Sequence, residues 1–297
     1  MSPTRNPSGA AVPPRGTRRP RSVVKTDDSA LPASASAVGR SQSLERGLSI
    51  LSSFSERRPL LGIAELARTV GLNKSTAHRY IATLANLGYV QQDPETRKYR
   101  LGPRVVDLGF AAINSMEITR IAARHLQALS DETGYTVNMA VLDGTDIVYI
   151  DRRRSAREGQ FGIDLNLHIG SRLPAYCTSM GKVLLANQPP EQWQSLIDRI
   201  DLARRGPKTI TAREALVVAL RRIRQTGIAV NDEELAPGLR SLAAPIRDGS
   251  GTVVAAINIA VHLSIWNASI DSIMQRLEPA LRRTAEEISV PMGYRAG

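Results

Sequence analysis

The stretch GLNKSTAHRYIATLANLGYV, residues 71–90, opens on a polar cluster of Asn73, Lys74, Ser75 and Thr76. Its apolar residues then fall at Ala77, Ile81, Leu84 and Leu87, the i, i+4, i+7 spacing of a helix with one buried face. Asn73 is placed to cap the first turn, and Gly88 to stop the last. The opposite face carries Ser75, His78 and Arg79. It is either plainly solvated or a reading surface.

The neighbours on both sides bear on that choice. Upstream, IAELARTV puts Ile63, Leu66, Ala67 and Val70 on one helix face, and Gly71 follows as a C-terminal stop. Two short amphipathic helices joined by a Gly-containing turn make a helix-turn-helix, whose second helix enters the DNA major groove by its N-terminal residues. Further upstream, SQSLERGLSILSSF carries an apolar stripe at Leu44, Leu48 and Leu51, the mark of a first helix. Downstream, YVQQ and KYRLG flank the turn DPETR as a hairpin with Arg97 and Lys98 near its tip. The expectation is a winged helix-turn-helix over residues 41–102. Lys74, Ser75, Thr76, His78 and Arg79 would face the major groove, and Arg97 and Lys98 the backbone or minor groove. Taken singly, each of these residues could be an ordinary wet side chain; the turn spacing, the wing and the local charge together favour DNA.

The charge supports a polyanion partner. The chain of 297 residues has a formal charge of +11, and the excess is concentrated at the front. Residues 1–40 hold seven basic and two acidic side chains, and residues 41–110 ten and six, whereas the rest is nearly balanced. Lys and Arg neutralising phosphates supply most non-specific affinity for nucleic acid, although basic tails also serve solubility. Residues 1–40, rich in Pro, Ser, Ala, Gly and Arg and without hydrophobic period, read as a disordered basic tail. No apolar run is long enough to span a membrane, and the N-terminus lacks the apolar core of a secretory signal, so a cytoplasmic protein is expected. The single cysteine, Cys177, and four scattered histidines predict no disulfide and no metal.

From Pro103 to Gly134 the sequence is helical, with apolar positions Val105, Leu108, Ala112, Ile118, Ile121, Leu126 and Leu129. A linker helix region is expected over residues 103–124, leading into a second domain over 117–292. There the period switches to two. TVNMAVLDGTDIVYIDR and SLAAPIRDGSGTVVAAINIAV read as hairpins around Asp143 and Gly144 and around Asp248–Gly251. Helices interrupt the strands: TSMGKVLLA after Cys177, a second near Glu191, a third with a Thr211–Glu214 capping box and a Gly227 stop, and a last one over residues 269–289 with Pro279 inside. The second domain is therefore expected to be α+β, an antiparallel sheet with helices packed on it.

The sequence carries no G-x-S-x-G elbow, H-E-x-x-H pair, Walker loop or G-x-G-x-x-G after a strand, which argues against an enzyme. It does place polar residues where a plain core has no use for them. Thr178 and Ser179 open a helix, Asn231 closes a strand, and Asn258 sits inside VVAAINIAV. A helix N-terminus beside hydroxyls and amides suits a carboxylate. Alternatively, Thr178 is only an N-cap, Asn231 only a turn former and Asn258 a solvent-facing ladder residue.

The segments SLERGLSIL, ELARTVGLNKSTAHRYIATLANLGYV and KYRLG, with RLPAYCTSMGKVLLA and GIAVNDEELAPGLRSLAAPIRDGSGTVVAAINIAV, resemble the IclR family of bacterial transcriptional regulators over residues 41–292. They look most like its branch controlling aromatic-acid catabolism, the beta-ketoadipate-pathway regulators. The resemblance implies an N-terminal winged helix, a linker helix involved in dimerisation and a C-terminal GAF-like effector-binding domain for a small organic acid, with no cofactor. By position, the effector site would comprise Ser179, Met180, Asn231, Leu239, Ser241 and Asn258. The family's glyoxylate-type members have Asp in place of Asn231, Cys in place of Ser241 and small residues in place of Ser179 and Met180. Those departures point away from glyoxylate or pyruvate, which stay as the alternative; a metabolite-binding enzyme with a DNA-docking module is a more distant one. The run Arg152–Arg154 is either a charge partner for a carboxylate or a solvated face. The implied mechanism is a homodimer, or a tetramer made of two such dimers, gripping a palindromic double-stranded operator under allosteric control.

Overall fold

The computed structural model describes residues 41–295 except 56, 155–166 and 264–268. The expected tail over residues 1–40 lies outside the described residues. The chain builds an α+β protein of two domains.

In the first domain α1 (Gln42–Leu51), α2 (Ile63–Thr69) and α3 (Lys74–Asn86) precede a hairpin of β1 (Val90–Gln92) and β2 (Tyr99–Leu101). Asn73 caps α3, its Oδ1 accepting from the Thr76 N–H at 2.8 Å. Gly71 and Gly88 both take positive φ, the left-handed turn that ends a helix. The core joins Ile50, Phe54, Leu61, Leu66, Ile81, Val90 and Tyr99. Leu61 also pairs its backbone with Tyr99, N to O at 3.0 and 2.9 Å, tying the segment before α2 to the wing. At Gly102 a Cβ would lie 2.2 Å from the Gly88 carbonyl oxygen, so only glycine lets the chain leave the wing there.

Of the stripe expected to bury α1, only Leu51 packs against this core. Leu44 and Leu48 are 62% and 54% exposed, and Ile50 at 0% anchors the helix instead. A helix that touches its domain along one narrow line buries what points there. The remaining leucines are left for something else.

The helical stretch after the wing is two helices. α4 (Pro103–Asn114) starts with Pro at N1 and buries none of its side chains. The chain breaks at Ser115–Met116, where the Thr119 hydroxyl bonds the Ile113 and Met116 carbonyls at 3.1 and 2.7 Å. α5 (Glu117–Thr133) then buries Ile118, Ala122, Leu126 and Leu129 in the second domain and ends at left-handed Gly134.

The second domain is a six-stranded antiparallel sheet made of β3 (Thr136–Asp143), β4 (Asp146–Arg153), β5 (Arg172–Pro174), β6 (Ala229–Asp232), β7 (Leu239–Arg247) and β8 (Val253–His262). Their spatial order is β5-β4-β3-β8-β7-β6. One face packs on α5 and α9 (Ile270–Ser289) through Met139, Leu242, Ile257, Leu277 and Leu281. The other packs on α6 (Ser179–Ala186), α7 (Pro190–Asp198) and α8 (Arg213–Thr226). Every residue of α6 is buried, so this helix is apolar around most of its circumference. The expected Thr211 capping box does not form: Ala212 is the N-cap of α8, with no side-chain cap bond. Arg213 holds that start instead, its guanidinium reaching the Ile197 carbonyl and, at 3.7 Å, the Asp198 carboxylate. Among the described residues no helix is long and apolar enough to cross a membrane.

Candidate functional site

The first candidate surface is the front of α3. Ala77 and Ile81 are its fully buried anchors, which turns Lys74, Ser75, His78 and Arg79 to solvent and leaves Thr76 half-buried. The Ser75 hydroxyl donates to Asn73 Oδ1 at 2.8 Å, so Ser75 shares in the cap. Arg97 and Lys98 are exposed on the wing, Arg97 at a positive φ. Asp93 organises that turn by accepting from the Thr96 amide and hydroxyl at 2.8 and 2.7 Å, and these bonds hold its carboxyl below the usual range. Arg57, Arg58 and Arg100 add exposed charge that the sequence reading passed over. Such a surface presents a helix N-terminus and several exposed cations, the kind of donor set that a phosphate backbone takes.

The second candidate surface is the sheet face under α6. Strand register lines up two adjacent rungs there. Asn231, Ser241, Ala260 and Thr136 form one; Ala243, Asn258, Asn138 and Arg152 form the next. Leu239 lies on a third rung, opposite His262. Ser179 brings the first turn of α6 onto the first rung, its hydroxyl 2.7 Å from that of Ser241. On the second, Asn138 donates to Asn258 Oδ1 and accepts from the Arg152 guanidinium, both at 2.8 Å. Asn258 is 6% exposed, which removes the reading of a solvent-facing ladder residue.

Asn231 braces the site. Its Nδ2 donates to the Cys177 carbonyl at 2.8 Å and its Oδ1 accepts from the Glu234 amide at 3.0 Å. Thr178 is the N-cap of α6, accepting from Gly181 N–H at 3.2 Å. Met180 packs its side chain in the apolar cluster on this face, and its backbone N–H sits in the first helical turn, beyond reach of α6's own carbonyls. Gly181 is required: a Cβ would stand 2.3 Å from both Cα and O of Ala175 in the 3₁₀ turn Ala175–Cys177. Behind the helix the buried Lys182 ammonium bonds the Glu234 carboxylate and the Val230 carbonyl. Burial pushes the Glu234 carboxyl up, against the pull of Lys182. Burial, then the Glu234 charge, pushes the Cys177 thiol up to about 11, so it stays protonated at neutral pH.

Of the residues the sequence singled out for this site, Ser179, Ser241 and Asn258 meet on one face, Asn231 ties its edge, and Leu239 lies at its margin. Sequence reasoning missed Asn138, though it sits among apolar residues in TVNMAV as Asn258 does in INIAV. Arg152 joins the site because β4 carries a bulge: Ala140 pairs with Tyr149 but Met139 with Asp151, leaving Ile150 extra. The bulge turns Arg152 onto the face of Asn138, and nothing in VYIDRRR announces it. Among the described residues no group of His, Cys, Asp and Glu could hold a metal ion.

Residues 43–94 match the family model of the IclR helix-turn-helix domain, and residues 110–290 that of the bacterial transcriptional regulator IclR C-terminal domain. The chain is 36% identical over 246 residues to the Pca regulon regulatory protein of Pseudomonas putida, covering 83% of this chain and 82% of the relative. It is 30% identical over 250 residues to the p-hydroxybenzoate hydroxylase transcriptional activator of Acinetobacter baylyi, covering 82% and 89%. The crystal structure of Thermotoga maritima IclR superposes with a TM-score of 0.65 at 27% identity, covering 84% of this chain and 98% of that one. A winged helix-turn-helix joined to this sheet domain, matched along nearly its whole described length, makes the chain a member of the IclR family: a DNA-binding transcriptional regulator and not an enzyme.

Proposed function

We propose that a small organic acid, bound on the sheet face under α6, sets the affinity of this regulator for its operator. The observation that carries the reading is the meeting of the first turn of α6 with two buried polar rungs, where Ser179 touches Ser241 and Arg152 reaches Asn138. Backbone N–H groups at the helix start and one guanidinium are donors suited to a carboxylate. The apolar cluster around Met180, Tyr149 and Tyr176 is suited to a ring. The acid we favour is aromatic, a choice supported by a relative that activates p-hydroxybenzoate hydroxylase expression.

The working unit we propose is a homodimer. Leu44 and Leu48 of α1 lie exposed, as does Leu108 of α4, at 62%, 54% and 57%. Scattered apolar residues are normal on a surface, whereas several large leucines left uncovered on the helices of one small domain and its linker are suited to association. Two DNA-binding domains would then meet the two halves of a palindromic operator.

Thermal-shift screening of the full chain against hydroxybenzoates, protocatechuate and small keto acids tests the ligand reading. At a hundred times its dissociation constant an acid that binds only the native state adds about 2.7 kcal/mol, a clear rise in midpoint. The rise should vanish in Ser241→Leu. A shift with glyoxylate or pyruvate alone would replace the aromatic reading by the keto-acid one. A shift retained in Ser241→Leu would move the site off this face.

A further inference from the structure

A second cleft opens on the other side of β4, between that strand and the α4–α5 junction. Its volume is about 870 Å³, within the span of small-molecule sites. Val106 and Phe110 of α4, one helical turn apart and 55% and 60% exposed, form one wall. Ala123 and Arg120 of α5 form the next, and Asp151 and Arg153 the floor. The bulge at Ile150 that sends Arg152 towards Asn138 sends its neighbours Asp151 and Arg153 the other way, into this cleft.

The chemistry of the lining selects a ligand class. Two guanidinium groups, Arg120 and Arg153, border the cleft against the single carboxylate of Asp151. Arg153 gives Asp151 one hydrogen bond, Nη2 to Oδ2 at 2.9 Å. Its Nε–H is buried and has no hydrogen-bond partner among the described residues. A buried donor left unmade is costly, and an anionic oxygen is the acceptor that satisfies it best. The apolar wall of Val106 and Phe110 asks for a hydrocarbon body beside that anion. We propose that the cleft is a second ligand site, separate from the α6 face, and that it takes a small organic anion with an apolar ring.

A ligand there touches the linker helix and the effector sheet at once. It would fix the angle between them, which is the quantity that places the DNA-binding domain. The leucine proposed for dimer contact, Leu108, lies on the opposite side of α4 from Val106 and Phe110, two residues on and therefore about 200° round the helix. Both surfaces can be used together. The inference does not depend on an effector binding under α6.

The test is a fluorescence titration of the full chain with the anionic naphthalene probe 1-anilinonaphthalene-8-sulfonate. Four proteins are compared, each checked by circular dichroism: the natural chain, Ala123→Trp, Arg153→Gln and, as control, Ser241→Leu. The natural chain should show a saturable enhancement. Ala123→Trp, which fills the cleft without touching its charge, and Arg153→Gln should each weaken it at least tenfold, and Ser241→Leu should leave it unchanged. Affinity within twofold of the natural chain in Ala123→Trp overturns the site, whatever Arg153→Gln does. Loss of the enhancement in Ser241→Leu, or its appearance only on dilution to monomers, likewise overturns it by placing the probe under α6 or a partner subunit in the cleft.

Discussion

Arg79 and Lys98 are both exposed cations of the first domain, yet their positions give them different work. Arg79 lies on α3 six residues beyond the Asn73 cap, on the exposed face of the helix expected to enter the major groove. Lys98 sits on the wing, the element expected to meet the phosphate backbone. Arg79→Ala should therefore cost about 1–3 kcal/mol on the preferred operator and relax its sequence preference. Lys98→Ala should weaken all duplexes about equally and lower the salt slope by about 1. Gel-shift titrations at two salt concentrations separate the two patterns, and an unchanged operator affinity in Arg79→Ala would remove α3 from the groove. At this scale the sequence was most legible where a residue acts on its own neighbours, as Asn73 does in capping or Gly71 in turning. It was least legible where a residue's direction depends on a partner strand. Asn258 and Asn138 are alike in sequence context and form one hydrogen-bonded pair, but only register shows it. Arg152 was left open between ligand partner and wet arginine, because one bulged residue decides which face it joins.

Among the elements, α6 carries the most consequence for its length. Its eight residues are all buried, its first turn abuts Ser241, and Gly181 lets it lie against the 3₁₀ turn before it. Gly181→Ala puts a methyl group into the Ala175 backbone, which cannot yield as a flexible side chain would. Overpacking of this kind should cost about 1–3 kcal/mol in urea unfolding and displace the helix start. An unchanged midpoint would show that the 3₁₀ turn gives way freely. Periodicity and stop signals revealed most elements, including the left-handed glycines after α5 and α8. They misjudged α1, because a 3.6 period reports which residues are apolar and not which of them find cover inside the same chain. They also ran α4 and α5 together, since Ser115 and Met116 carry no Gly or Pro to mark the break.

For the whole molecule, the leucines that α1 and α4 leave uncovered predict self-association. The double variant Leu48→Glu, Leu108→Glu should sediment as a monomer at micromolar concentration while keeping its native circular dichroism, and a variant that stays dimeric would place the interface elsewhere. The α+β class and the winged domain were legible because local pattern sets them. How ligand, linker and DNA communicate is a property of two states, and only a ligand that binds them unequally can shift one into the other. The most direct measurement is fluorescence anisotropy of a duplex selected for tight binding from a random pool, titrated with the full chain in the presence and absence of each acid that raises the melting midpoint. One such acid should change operator affinity by about 5-fold to 150-fold, the usual span of allosteric coupling. That change should disappear in Ser241→Leu. Identical operator affinity with and without every acid that stabilises the protein would contradict it.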